Sequence, residues 1–220
     1  MRITKEKKQE NHQRIVTIAA ERFRADGFAG VGVADLMAQA GLTHGGFYNH
    51  FPSKEALVAE ALAQSFEETA ARYAGHEVGA VIDAYLSRAH RDAPGQGCPA
   101  AALSGEAARL PAETRAVFGA GIAGLVAALE ASLAARPTPA ATPAATPTAT
   151  ARAQAIGRLA QAVGAVMLSR ACPDSADLAD EILAVCRAQC HAALQGPDQP
   201  GAPRAATAPL SAGDPGRAGR

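Results

Sequence analysis

The stretch VADLMAQAGLTHGGFYNHFPSKEAL, Val33 to Leu57, decides how this chain folds. Val33, Leu36, Met37 and Ala40 fall at three- and four-residue steps, so they predict a two-turn helix with one apolar face, stopped by Gly41. Gly41 gives the backbone freedom for a sharp turn, and Leu42 plugs the gap between the flanking helices. A second short helix is expected from about His44 to Asn49. Thr43 is placed to cap it through its hydroxyl, and Phe47 and Phe51 can turn back into a small core. Helix, tight turn and helix then leave Thr43, His44, Gly45, Gly46, Tyr48, Asn49 and His50 for the outward face. Donors, acceptors and bare backbone on one face are the chemistry that approaches phosphates and base edges in a major groove. Pro52 and Ser53 open a long helix through Ala56, Leu57, Ala61, Leu62 and Phe66, with Ser53 as N-cap and Glu55 as its displaced reciprocal partner.

Upstream, Ile15, Ile18, Ala19, Arg22 and Phe23 form the stripe of a first helix ending near Asp26-Gly27, with Gly27 as a left-handed cap. The pattern then covers roughly the first 60 residues: Ala19, Phe23 and Gly27-Phe28, followed by Asp35, Ala38, Ala40-Gly41-Leu42-Thr43, Gly45, Phe47-Tyr48, His50-Phe51 and Lys54. It resembles the amino-terminal helix-turn-helix of the TetR family of bacterial transcriptional regulators. The resemblance implies that Thr43, Gly45, Tyr48 and His50 contact phosphates or bases and that His44 and Asn49 are variable base-facing positions. It also implies that Lys54 meets a phosphate at the start of the long helix. Two positions depart from the family pattern. Gly32 stands where Ser or Thr usually caps the second helix, and Gly46 replaces a common Thr, Ser or Ala, which bears on one side-chain contact to DNA and not on the binding mode. On the residues alone, Tyr48 could instead cover the core edge and Lys54 could be a solvated helix-start lysine. Arg2, Lys5, Lys7, Lys8 and Arg14 outnumber Glu6 and Glu10, so the start is either a flexible basic arm that neutralises phosphates or a frayed charged terminus.

Beyond this segment the chain is bounded by its composition. Its 220 residues carry 21 Lys+Arg against 21 Asp+Glu, so no whole-molecule field draws it to nucleic acid and any DNA binding must come from a local patch. Hydrophobic residues reach 48% with aromatics at only 4%, because alanine supplies much of the apolar count; this favours an all-α fold of about nine helices. Later helices are expected over 77–91, 99–109, 111–135, 152–171 and 174–194. The expected organisation is a helix-turn-helix domain over 1–60, a ligand-binding and dimerisation domain over 61–195, and a disordered tail over 196–220. Within the second domain, residues 136–150 (RPTPAATPAATPTAT) form a linker whose four prolines exclude helix. Four unevenly spaced cysteines suggest no disulfide framework, and the charged start directs no export, so a cytoplasmic protein is expected. The longest uncharged apolar stretch, Ala116 to Leu129, is 14 residues, short of the roughly 20 a membrane span needs. No membrane partner is expected.

One short recognition helix reads few base pairs, so specificity calls for two copies on a two-fold axis. Ile156, Leu159, Ala160, Val163, Val166 and Met167 form one stripe suited to this, and Leu178, Ile182, Leu183, Val185 and Cys186 another; by resemblance these helices make an intersubunit four-helix bundle. An intramolecular core is the alternative use. The resemblance also implies a small-molecule effector site among the middle helices, for which Phe66, Tyr85, Leu103, Phe118 and Ile122 are candidates. Cys98 precedes Pro99 at a helix start near Arg88, His90 and Arg91, so it is either a sensor thiol for oxidants or electrophiles or a small semi-buried hydrophobe. Cys186, Cys190 and His191 lack a fourth partner, and neither a metal nor a cofactor is expected. No phosphate loop, dinucleotide fingerprint or nucleophile elbow supports catalysis. The reading is therefore not an enzyme but a homodimeric transcriptional repressor that binds double-stranded operator DNA and is released by a small-molecule or thiol-reactive signal. A thiol-dependent enzyme using Cys98, and a helical dimer acting through protein partners, are the alternatives.

Overall fold

Helix-favouring alanine and leucine at three- and four-residue spacing produce nine α-helices among the described residues: α1 Lys5–Asp26, α2 Val33–Gln39, α3 Lys54–Tyr73, α4 Val78–Tyr85, α5 Arg88–Asp92, α6 Pro99–Ala107, α7 Ala112–Ala134, α8 Pro147–Ala171 and α9 Asp177–Gln195. Two 3-10 segments, His44–Asn49 and Pro94–Gln96, complete the set, and no strand occurs among these residues. The computed structural model describes residues 4–135 and 147–195; Arg2, most of the expected linker and the expected tail lie outside them.

Three expectations about the elements need correcting. The single helix expected over 77–91 is broken between α4 and α5, where Leu86 and Ser87 leave helical dihedrals and the Ser87 hydroxyl accepts the His90 N–H to cap α5. Arg170 of α8 then donates to the His90 and Arg91 carbonyls that this short helix exposes at its end. Pro147 does not exclude helix but opens α8, because a proline in the first turn lacks only a donor that has no helical partner there. The basic start is helical from Lys5, with the Thr4 hydroxyl accepting the Lys7 N–H and Lys7 pairing with Glu10 at 2.9 Å.

The core runs from the first helices into the later bundle without a gap. Helix α3 packs against both α1 and α7, α7 packs on α8, and α8 on α9. Phe66 of α3 and Phe118 of α7 meet edge to face at 5.1 Å. Gly121 is what lets these two helices close: a Cβ there would overlap the Phe66 ring. By length and composition α7 could cross a bilayer, with a mean hydropathy of 1.8 in its apolar window, yet here it is a bundle helix lying along α3 and α8. At the junction with the first helices, Arg24 is buried, donates to the Gly95 carbonyl at 2.7 Å and bonds the Ser65 hydroxyl.

Candidate functional site

Local chemistry sets the geometry of the amino-terminal face. Helix α2 starts at Gly32 without a side-chain cap, and its Ala40 N–H closes on the Leu36 carbonyl. Gly41 then takes φ +70°, a value costly for any residue with a Cβ, and the Leu42 N–H returns to the Met37 carbonyl at 2.8 Å. Thr43 does not cap the next segment through its hydroxyl as expected. Its carbonyl accepts the Gly46 N–H instead, the i to i+3 bond of a 3-10 turn, and the exposed hydroxyl makes no capping bond. The Ser53 hydroxyl does cap α3, accepting the Ala56 N–H at 3.2 Å, while Glu55's own backbone N–H and then a hydrogen bond from the Ser53 side chain hold the Glu55 carboxyl below the usual range.

The aromatic residues divide by depth. Phe47 and Phe51 are each 1% exposed with rings 5.5 Å apart, whereas Tyr48 is 71% exposed and touches Phe47 only edge-on at 5.3 Å. The anchoring role expected of the two phenylalanines is therefore what the packing shows, and Tyr48 does not cover the core edge. Thr43, His44, Gly45 and Asn49 are exposed beside it, while Gly46 and His50 are half-buried. The His50 Nδ1 atom is enclosed without a hydrogen-bond partner; burial pushes its pKa down, and nearby His12 and Lys8 push it the same way. His12, which sequence reasoning missed, stacks on Phe51 at 4.4 Å and bonds Glu60 at 2.7 Å, a pairing across 48 positions with no signature in the sequence.

Lys54 points inward. Its ammonium donates to the Phe28 and Val31 carbonyls, both at 2.7 Å, and lies 6.0 Å from the centre of the Phe23 ring. It closes the loop between α1 and α2 onto the start of α3, a use that differs from the phosphate contact the resemblance implies.

This is the geometry of a helix-turn-helix with a polar outer face. Residues 15–61 match the family described as "Bacterial regulatory proteins, tetR family". Residues 15–61 are thus a TetR-family amino-terminal domain. Among solved structures it is similar to a TetR transcriptional regulator from Chloroflexus aurantiacus, at 26% identity and a TM-score of 0.65 over 86% of this chain and 96% of that one. A TetR-family regulator from Agrobacterium tumefaciens shares 24% identity at a TM-score of 0.65, covering 84% and 98% of the two chains. E. coli NemR in its reduced form shares 21% identity at a TM-score of 0.64, covering 82% and 95%. No curated relative matches the chain.

Behind this amino-terminal domain the chain holds a cavity of about 70 Å³ between α3, α4, α7 and α8. Tyr73, Ile82, Tyr85, Cys98, Leu125 and Leu129 are among its walls. Of the five effector-site residues named from sequence, only Tyr85 lines it. Phe66 and Phe118 are spent on each other, Leu103 is 1% exposed in the core, and Ile122 faces outward. Leu125 and Leu129 carry the cavity face of α7, and Ile122 lies about one turn nearer the start of that helix, short of the cavity.

Cys98 meets that cavity from the N-cap of α6, buried to 1% exposure. Its backbone N–H donates to His90 Nε2 at 3.0 Å, while His90 Nδ1 donates to the Tyr85 carbonyl at 2.7 Å. Both bonds require a neutral imidazole with its proton on Nδ1. Burial pushes the His90 pKa down, the carbonyl bond opposes this, and Arg170 and Arg72 add to the depression. A histidine whose folded pKa is depressed stabilises the fold fully above its unfolded pKa of about 6.5 and loses that contribution as pH falls through and below that value. Thermal unfolding between pH 8 and pH 5.5 is therefore expected to show stability declining below about 6.5, with a smaller decline in His90→Gln. An equal decline in the variant would remove His90 from the account.

At the other end of α6, eight positions from Cys98, Glu106 accepts the Phe28 N–H at 3.0 Å. One nine-residue helix thus bridges the cavity and the loop that Lys54 also grips. The Cys186, Cys190 and His191 group is committed elsewhere: the Cys190 thiol bonds Gln161 at 3.3 Å and His191 bonds Asp83 at 2.8 Å. Burial pushes the Cys190 thiol up.

Proposed function

We propose that this chain is a homodimeric TetR-family repressor that binds a palindromic operator and leaves it when a small molecule occupies the cavity beside Cys98. The observation that carries the reading is the opposite placement of two adjacent aromatics, Phe47 inside and Tyr48 71% exposed among Thr43, His44, Gly45 and Asn49. A buried anchor holds the segment rigid, so the exposed groups can enter a major groove without first being ordered. Thr43, His44, Gly45, Gly46, Tyr48, Asn49 and His50 form the proposed contact set, and Lys54 positions them by closing the loop behind. The division between this reading head and the signal-receiving body falls near residue 60, inside the continuous helix α3.

Dimerisation is supported by the outer faces of α8 and α9. Val166 and Leu183 are used up in the core, but Ile156, Leu168, Leu178 and Val185 stay 47–61% exposed, the large apolar surface a four-helix contact would cover. Two heads on one face of DNA must then sit about 34–36 Å apart. The direct test is selection of bound sequences from a random DNA library by the full chain. A dyad-symmetric consensus supports the reading, and an asymmetric or absent consensus overturns it.

A thiol-reactive molecule small enough to enter the cavity would act on Cys98 there, since the residue is closed to solvent on its other sides. Cys98→Ser is expected to abolish release of operator DNA by such compounds, measured by fluorescence anisotropy, while leaving affinity for DNA unchanged. Full release in the variant would eliminate the thiol arm of the signal.

A further inference from the structure

Most polar groups around the cavity are bonded within the protein. The Thr69 hydroxyl donates to the Ser65 carbonyl and that of Ser132 to the Ala128 carbonyl, both back-bonds within their own helices. The Cys190 thiol bonds Gln161, and Arg158 donates to Gln154 and to the Ala193 carbonyl. Tyr85 differs: the residue is 6% exposed, its hydroxyl is buried, and no protein group hydrogen-bonds to it with sound geometry. Only the Cys98 sulfur, a weak partner, lies beside it. Desolvation holds this phenol far above its ordinary pKa, so it remains a donor. A buried donor without an acceptor is costly, and evolution could have placed phenylalanine here at no loss of packing.

We propose that the cavity takes a small uncharged molecule with an apolar body and one hydrogen-bond acceptor, a ketone, aldehyde or ether oxygen, and that the Tyr85 hydroxyl donates to that acceptor. Ile82, Leu125 and Leu129 supply aliphatic contact for the apolar body. A cavity of 70 Å³ is about half the 150 Å³ that holds a benzene ring, so about three to five non-hydrogen atoms of the ligand lie inside. The carbonyl or ether oxygen is thereby held beside the Cys98 sulfur, which also places a thiol-reactive carbon of such a ligand next to its nucleophile. This inference rests on the cavity being the signal site, and it adds the chemistry that the site selects.

The test uses the full chain without DNA and three probes of five non-hydrogen atoms each: 2-butanone, its hydrocarbon shape-mimic 2-methyl-1-butene, and propionate. Dissociation constants are read by NMR titration of the wild type and of Tyr85→Phe. The ketone is expected to bind about five- to tenfold more weakly to the variant, the size of one net hydrogen bond, while the alkene binds both proteins equally. Without ligand, Tyr85→Phe is expected to unfold about 2–4 °C higher than the wild type, because it removes an unsatisfied group. The proposal is overturned if ketone and alkene respond alike to the substitution, if propionate binds best, or if the variant unfolds at a lower temperature. Operator release is measured separately by anisotropy. Ketone binding without release leaves the ligand chemistry standing and removes the cavity from the signalling role.

Discussion

Phe47→Ala is expected to lower the unfolding free energy by about 3–5 kcal/mol, whereas Tyr48→Ala, one residue away, is expected to change it by no more than about 0.5 kcal/mol. The difference follows from burial. Phe47 is 1% exposed against Phe51 and the α2 face, so its removal leaves a void in a core of few large residues. Tyr48 is 71% exposed and loses little. The order reverses for DNA: Tyr48→Ala keeps the fold and is expected to weaken operator binding by about 10- to 100-fold, the range for losing one specific contact. Denaturant unfolding and anisotropy titration on the same preparations give both numbers. A Tyr48→Ala protein that stays folded and binds with wild-type affinity would remove this face from the DNA interface.

The second large effect concerns Lys54. A charged donor shared by the Phe28 and Val31 carbonyls joins the loop after α1 to the start of α3, and Lys54→Met leaves both acceptors without it. The expected loss is about 2–3 kcal/mol of stability, typical of hydrogen bonds to a charged group. The plot of log affinity against log salt should keep its slope, because no phosphate contact has gone. A lysine meeting a phosphate in each complex would instead reduce the slope by about one unit. A reduced slope with stability unchanged would restore the phosphate role that the family pattern implies. Glu106 grips the same loop from α6 through the Phe28 N–H, so Phe28 is held on one side by the start of α3 and on the other by the helix that begins at the cavity.

Much of the amino-terminal face is legible from spacing, because its determinants are local. Val33, Leu36 and Met37 set the phase of α2, Gly41 supplies the one backbone conformation the turn requires, and Phe47 and Phe51, four positions apart, must share a side. The break between α4 and α5 was also within reach, since Ser87 is an ordinary N-cap residue three positions before His90, but the apolar pattern running through Leu86 concealed it. The effector residues were less legible. Counting large side chains along the middle helices selects Phe66, Phe118 and Leu103, which are large because they fill the core.

Taken alone, the sequence determined the helical class, the position of the turn, which aromatics anchor the recognition segment and the TetR resemblance. Each of these depends on residues within about one or two helical turns of one another. Only the tertiary structure decided that Lys54 faces the loop carbonyls, that Arg24 reaches Gly95 across 71 positions, that Tyr85 and Cys98 meet in one cavity, and that the Tyr85 hydroxyl is left without an acceptor. Those outcomes depend on the rotation and approach of helices far apart in the chain, which packing sets and no local periodicity encodes.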